Sequence, residues 1–235
     1  MLVARNRDRL AEIADDFSLQ GIAVKVVAAD LAIAEAAHSV FDELERASIV
    51  VDVLINNAGM GTFGPFVESD PAQELRTMQL NIVSLTVLTR LLLPGMLHRG
   101  HGCIMNVASV AAFRPGPLMA VYYASKAYVL SFSRALASEL KGTGVTVTAL
   151  CPGPARTDFW RRAAIRESRL TRFRLMDAAQ IAQAGYRGMT NGKTTVIPGW
   201  RNKALAAAAL LLPAGLVVAI VRGVLERKPP SATNM

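Results

Sequence analysis

The chain has 235 residues, 52% of them hydrophobic and 19% charged, with a formal net charge of +8. That length and apolar content permit one large domain with a substantial core and exclude a disordered or low-complexity chain. The basic excess lies in residues 156–174, where seven arginines face two acids, and at the C-terminal end. Neither stretch has a recognition-helix signature or the pattern of a single-strand binder, so no nucleic acid is expected as a partner. An anionic cofactor, lipid or membrane surface is the better use of this charge.

Cys103 and Cys151 stand 48 residues apart in apolar runs, without metal-ligand spacing. Two buried thiols in a reducing, cytoplasmic setting are the expectation, and no metal site. The first ten residues carry four charges, so no secretory leader is expected there.

The opening Met1-Leu2-Val3-Ala4-Arg5-Asn6-Arg7 reads as the end of a strand that feeds a helix. Strands are then expected at 24–28, 51–55, 103–108, 145–150 and 194–197, and helices at 33–47, 71–98 and 120–141. The run 51–55 is almost continuously apolar, as in a parallel strand buried on both faces. This alternation predicts an α/β fold, a Rossmann-like doubly wound parallel sheet in a single domain over 1–200. Ligands of such sheets lie beyond the carboxyl ends of the strands, so the residues following each strand are the informative ones.

One fingerprint there is set aside. Gly59-Met60-Gly61-Thr62-Phe63-Gly64 fits G-x-G-x-x-G, but Pro65-Phe66 follows and the next helix signal, Ser69-Asp70-Pro71, comes later. A pyrophosphate turn must open directly into a helix. The segment therefore reads as a loop.

Tyr122 and Lys126 are four apart on a predicted helix and share one face. An ammonium beside a phenol favours the phenolate, making the tyrosine a usable proton donor or acceptor. Ser109 follows the strand 103–108 and can hold a carbonyl oxygen beside that tyrosine. Alone, a tyrosine and a lysine at this spacing are commonly a solvated pair.

The surrounding spacings remove that alternative. Asn81 lies 28 residues before Ser109, and Ser109 lies 13 before Tyr122. Asn56-Asn57-Ala58-Gly59 follows one strand, and Cys151-Pro152-Gly153-Pro154-Ala155-Arg156-Thr157 follows a later one. Over residues 1–200 this set resembles the classical short-chain dehydrogenase/reductase family.

The resemblance implies an NAD(P)-dependent oxidoreductase with Ser109, Tyr122 and Lys126 as catalytic triad and Asn81 completing a tetrad through a held water. Lys126 and Tyr122 would also bond the cofactor. Asp30-Leu31 would contact the adenine, with a helix N-cap as the plain alternative for Asp30. Asn57, Ala58 and Gly59 would line the adenine ribose. Pro152, Gly153 and Thr157 would border the nicotinamide. Arg5, at the end of the opening strand, suits a ribose 2′-phosphate through its planar fork, so NADP(H) is preferred over NAD(H). A homodimer or homotetramer is expected.

The family's first strand and its T-G-x-x-x-G-x-G turn would lie some 25 to 35 residues before Arg5, where only four residues stand. Two accounts are open: an internal methionine of a longer reading frame, or a truncated, non-catalytic remnant that associates with a membrane or dimerises. In either case weak NADPH binding is expected of the 235 residues alone.

Residues 204–221 are uncharged, with Arg201 and Lys203 before and Arg222, Arg227 and Lys228 after, and Pro213 and Gly215 inside. Within the C-terminal helical extension, 201–235, three readings stay open: a membrane-surface helix pair, packing or dimer contact, and a short span. Residues 159–175, where arginines alternate with Phe159, Trp160, Leu170, Phe173 and Leu175, would be the family's substrate lid. Pro198-Gly199-Trp200-Arg201-Asn202-Lys203 resembles ketoacyl and steroid-type reductases, which suggests a small lipophilic ketone or alcohol as substrate.

Overall fold

The computed structural model describes residues 1–159, 163 and 175–226. β1 (Leu2–Ala4) passes through Asn6, whose side chain accepts from the Arg9 amide, into α1 (Arg7–Ser18). β2 (Val26–Ala28), α2 (Ala36–Arg46) and β3 (Val53–Asn56) follow. α3 (Pro71–Met78) starts at an Asp70 cap with proline in the first turn. It runs on through a π-helical segment, Gln79–Ser84, into α4 (Leu85–Arg99). Then come β4 (Gly102–Val107), α5 (Ala120–Glu139), β5 (Val145–Leu150), α6 (Ala178–Thr190), β6 (Thr195–Val196), α7 (Trp200–Leu211) and α8 (Ala214–Leu225).

Every strand pair is parallel, in a four-stranded sheet β3-β4-β5-β6 and a separate pair β1-β2. Alternation along the central strands sends Ile104 and Val147 toward Met96 of α4 and Leu136 of α5. Met105 and Leu150 go to the other face, against Ile181 and Met189 of α6. Helices on both faces of a parallel sheet make this the Rossmann-like architecture that the alternation predicts.

The run 51–55 departs from expectation. Val53 is 46% exposed and Ile55 49%, because β3 bonds to β4 along one edge and no described strand lies along the other. β1 likewise pairs only with β2. The β1-β2 pair is held to the rest by side chains. Val3 and Val27 pack on a cluster of Ala37, Val40 and Leu88, the Ser84 hydroxyl donates to the Leu31 carbonyl at 2.6 Å, and Arg76 pairs with Asp30 at 2.6 Å.

The stretch 204–221 is not one helix. It breaks at Leu212-Pro213 into α7 and α8, each 12 residues. Each is about 18 Å long, short of the roughly 30 Å hydrocarbon core. The helix Pro71–Arg99 is long and apolar enough to cross a membrane by length and composition. Its Thr77, Asn81, Ser84 and Thr89 are nonetheless buried against the domain, the placement of a core helix.

A buried polar ladder links sheet and helices behind the site. Asn56 donates to the Asn106 carbonyl oxygen at 2.8 Å and to the Thr89 hydroxyl at 3.2 Å, and Asn106 donates to the Ser133 hydroxyl at 2.9 Å. Removing Asn106 takes one buried hydrogen bond from Asn56 and one from Ser133, which keep Thr89 and Val129 as their remaining partners. Asn106→Ala is expected to lower unfolding free energy by about 2–4 kcal/mol, read from the shift of a urea unfolding midpoint at unchanged slope.

Candidate active site

Because all strands are parallel, the loops that follow them open on one edge of each sheet. Ser109 sits just past β4 rather than on it. Its side-chain oxygen accepts from the Ala111 amide at 3.1 Å, capping the short turn Val110–Phe113, and it lies 3.5 Å from the Pro152 carbonyl oxygen beyond β5. The same hydroxyl stands close enough to Tyr122, in the first turn of α5, to favour its phenolate. Lys126, one turn on, places its ammonium 6.0 Å from the Tyr122 ring centre. Ser109, Tyr122 and Lys126 are thus brought together.

Their electrostatics differ from expectation. Burial pushes the Tyr122 phenol up to about 12, and the Ser109 hydroxyl only partly opposes it. Lys126, 5% exposed, donates to the Val107 carbonyl at 2.8 Å, and burial drives its ammonium down to about 8. The lysine does not acidify the phenol in this state: burial dominates, and the Ser109 hydroxyl alone acts to lower it. Cys151 beneath them is fully buried, its thiol pushed up to about 12 by burial, and stays protonated.

Asn81 occupies the π-helical segment, a local widening common where a side chain must be re-aimed. Its carboxamide accepts from the Met60 amide at 3.0 Å and donates to the Met60 carbonyl and the Ser125 hydroxyl, each at 2.9 Å. It therefore fixes the loop of exposed Asn57, Ala58 and Gly59 against α5.

The set-aside glycine segment is a loop, and it walls the tyrosine. A Cβ on Gly61 would stand 2.8 Å from the Tyr122 ring and 3.3 Å from Phe159. The Phe159 ring lies 5.1 Å from that of Tyr122. Asn202 is a second neighbour the motif reading did not place. It donates to the Pro198 carbonyl at 2.7 Å, and a Cβ on Gly153 would overlap its carboxamide. The signal lay in the Pro198–Lys203 motif, which carries no hint of its spatial partner. Thr157 is exposed and accepts from the Phe159 amide at 3.4 Å. The expected lid, 159–175, falls almost wholly outside the described residues.

At the far end, Asp30 is not a helix cap, since α2 starts six residues later at Ala36, with Glu35 as its N-cap. It accepts from the Ala32 amide at 3.0 Å in a tight turn and pairs with Arg76. Burial works to raise its pKa, but the Ala32 hydrogen bond, Arg76 and Arg5 together hold it below the ordinary value. Arg5 is exposed beside this carboxylate.

The residues present suit a nicotinamide dinucleotide. The groove floor at Gly59 is bare, where a Cβ would come within 3.3 Å of the Lys126 ammonium and 3.4 Å of the Asn81 oxygen. Hydroxyl and ammonium donors stand at one end and guanidinium groups at the other. Among the described residues no three His, Cys, Asp or Glu side chains converge as metal ligands.

A family model described as short chain dehydrogenase matches residues 1–168, and the chain belongs to that family. It is 30% identical over 224 residues to a very-long-chain 3-oxoacyl-CoA reductase-A of Danio rerio, covering 92% of this chain and 69% of that one. It is 34% identical over 158 residues to the very-long-chain 3-oxoacyl-CoA reductase of Anas platyrhynchos, covering 64% of this chain and 50% of that one. The chain spans about half the length of several such curated relatives. Among solved structures, a short-chain dehydrogenase from Sphingobium yanoikuyae in complex with NADPH superposes with a TM-score of 0.79 at 34% identity, covering 88% of this chain and 82% of that one.

The buried Lys126 has a measurable cost. Below about pH 8 the folded chain must carry the ammonium in desolvated surroundings, whereas the unfolded chain keeps its proton to about pH 10.4. Between these values the unfolded state binds more protons, so this group's contribution to stability rises with pH. Lys126→Met is expected to stabilise the chain at pH 7 by up to roughly 3 kcal/mol, the gain fading toward pH 10. Thermal unfolding across that pH range measures it.

Proposed function

We propose that the protein is an NADP(H)-dependent oxidoreductase that interconverts a ketone and a secondary alcohol on a lipophilic, acyl or steroid-like substrate. The observation that carries this reading is the placement of the Ser109 hydroxyl by Tyr122 at the sheet's carboxyl edge, with Lys126 one helical turn away. The bound nicotinamide supplies or takes the hydride at the carbinol carbon. Tyr122 gives its proton to the carbonyl oxygen in reduction and takes it back in oxidation. A phenol held near 12 keeps that proton until alkoxide charge develops on the substrate. Ser109 steadies the same oxygen. Lys126 bonds the ribose hydroxyls, and Asn81 keeps the Asn57–Gly59 loop in register, with a held water completing the relay.

Apolar surroundings of Tyr122, from Phe63, Leu118 and Phe159, support a lipophilic substrate. Pro152, Gly153 and Thr157 border the nicotinamide, and Asp30 and Leu31 the adenine. Arg5 beside Asp30 supports the phosphorylated cofactor. Exposed Val83 and Leu97 on the long helix and Tyr128 on α5 leave an apolar strip that supports a homodimer or homotetramer. A cytoplasmic protein peripheral to a membrane fits the exposed C-terminal leucines. The edges of β1 and β3 along which no described strand lies support a weak grip on the pyrophosphate, which titration of NADPH fluorescence with the 235-residue chain tests; tight binding would overturn it.

In any preparation that reduces a ketone with NADPH, Tyr122→Phe is expected to lower kcat by about 10²–10⁴, the usual worth of a positioned general acid. Unchanged turnover would remove Tyr122 from the mechanism. Arg5→Gln is expected to weaken NADPH by about ten- to a hundredfold relative to NADH, the worth of a charge-assisted contact, in paired dissociation constants.

A further inference from the structure

α8 has two apolar faces. Val217, Val221 and Leu225, four apart, are buried against Tyr123, Met119 and Ala111, in the cluster that also holds Tyr122 and Phe63. At the helix's end Glu226 borders a cavity of about 410 Å³, together with Phe63, Pro65 and Leu118. The other face is bare: Leu216 and Ile220 are about half exposed, and Leu210 and Leu211, ending α7, are 67% and 84% exposed.

Among the described residues nothing covers this ridge. Exposed leucines scattered singly need no explanation, but these follow one another around a two-helix corner. From Trp200 to Leu225 the hairpin holds no acidic residue and three basic ones, Arg201, Lys203 and Arg222, all exposed and all at its ends. Glu226 neutralises Arg222 at 2.7 Å, leaving Arg201 and Lys203 free of described ion pairs. An apolar crest flanked by cations matches the layering of a bilayer with anionic headgroups. A second copy seated on this crest would find no acid within Trp200–Leu225 to pair with Arg201 and Lys203.

We propose that the outer face of the α7–α8 hairpin docks on an anionic lipid bilayer, lying in the interface without crossing it. Resting on the lipophilic-substrate reading, this docking leaves the apolar cluster around Tyr122 one helix thickness, about 10 Å, from the lipid. A lipophilic ketone then has a short path from bilayer to tyrosine.

Flotation of the purified chain with vesicles tests this, using equal parts phosphatidylcholine and phosphatidylglycerol against phosphatidylcholine alone. The chain is expected to float with the anionic vesicles and to be released as salt rises. Leu216→Ser and Ile220→Ser are each expected to cut partitioning by roughly tenfold or more, the factor one such side chain brings on burial. Both positions are exposed, so the unfolding midpoint should hold. Arg201→Gln with Lys203→Gln, which leaves the crest intact, should weaken anionic binding alone. Equal flotation on both vesicles, or none on either, would overturn the proposal. So would a solution dimer that Ile220→Ser splits while flotation is absent, since the ridge would then seat a second copy. These readouts need no cofactor and no turnover, so their failure leaves the reductase reading standing, and failure of ketone reduction leaves the docking standing.

Discussion

The carboxamide of Asn81 joins three parts of the molecule that the chain supplies far apart. Through Met60 it holds the loop after β3, through Ser125 it holds α5, and its own backbone belongs to the long helix that spans the domain. A regular α-helix would direct the side chain at this point differently, and the π-helical segment is the local adjustment that aims it inward. With this clamp in place, Gly59 lies between asparagine and lysine, and Gly61 comes within contact of the tyrosine ring. The groove in which a nucleotide would lie is shaped by these contacts more than by the strands themselves.

Behind the clamp, the site is arranged against stability. An ammonium with a backbone carbonyl for company and a phenol among aromatic rings are both costly to bury. A core built for stability alone would place apolar groups there. The neighbouring polar ladder of Asn56, Asn106 and Ser133 shows the contrast, since its hydrogen bonds pair within the protein. Residues that satisfy one another build the scaffold, while residues left in need of a partner face the groove.

Much of this was legible in the sequence. β5 falls where β-branched alternation puts it, and Ser109, Tyr122 and Lys126 converge because a parallel strand and a helix at fixed spacing leave little choice. The exposure of β3 was not legible, because apolar composition reports what a strand could bury and not whether a neighbour lies beside it. The tyrosine's high pKa was missed for a related reason: spacing reveals the ammonium's proximity, but desolvation depends on Phe159 and Gly61, distant in sequence. For Asp30 a cap stood as the plain alternative to adenine contact, and neither reading held a sign of its ion-pair partner Arg76, 46 residues away. The break at Leu212-Pro213 was signalled by the proline, yet only packing shows that Val217, Val221 and Leu225 turn inward.

The division between β1-β2 and β3-β6 carries a thermodynamic consequence. The first pair is tied to the body by side-chain packing, one hydroxyl and the ion pairs Arg76–Asp30 and Lys25–Glu43, with no shared backbone ladder among the described residues. Opening of that segment breaks far less structure than unfolding the four-stranded sheet, so it forms a separate cooperative unit. Arg5 and Asp30 belong to the loosely tied unit, and Ser109, Tyr122 and Lys126 to the firm one. Ordering of the Arg5–Asp30 end and of the Ser109–Tyr122–Lys126 end are therefore independent quantities, and a ligand spanning both would have to supply the energy that couples them.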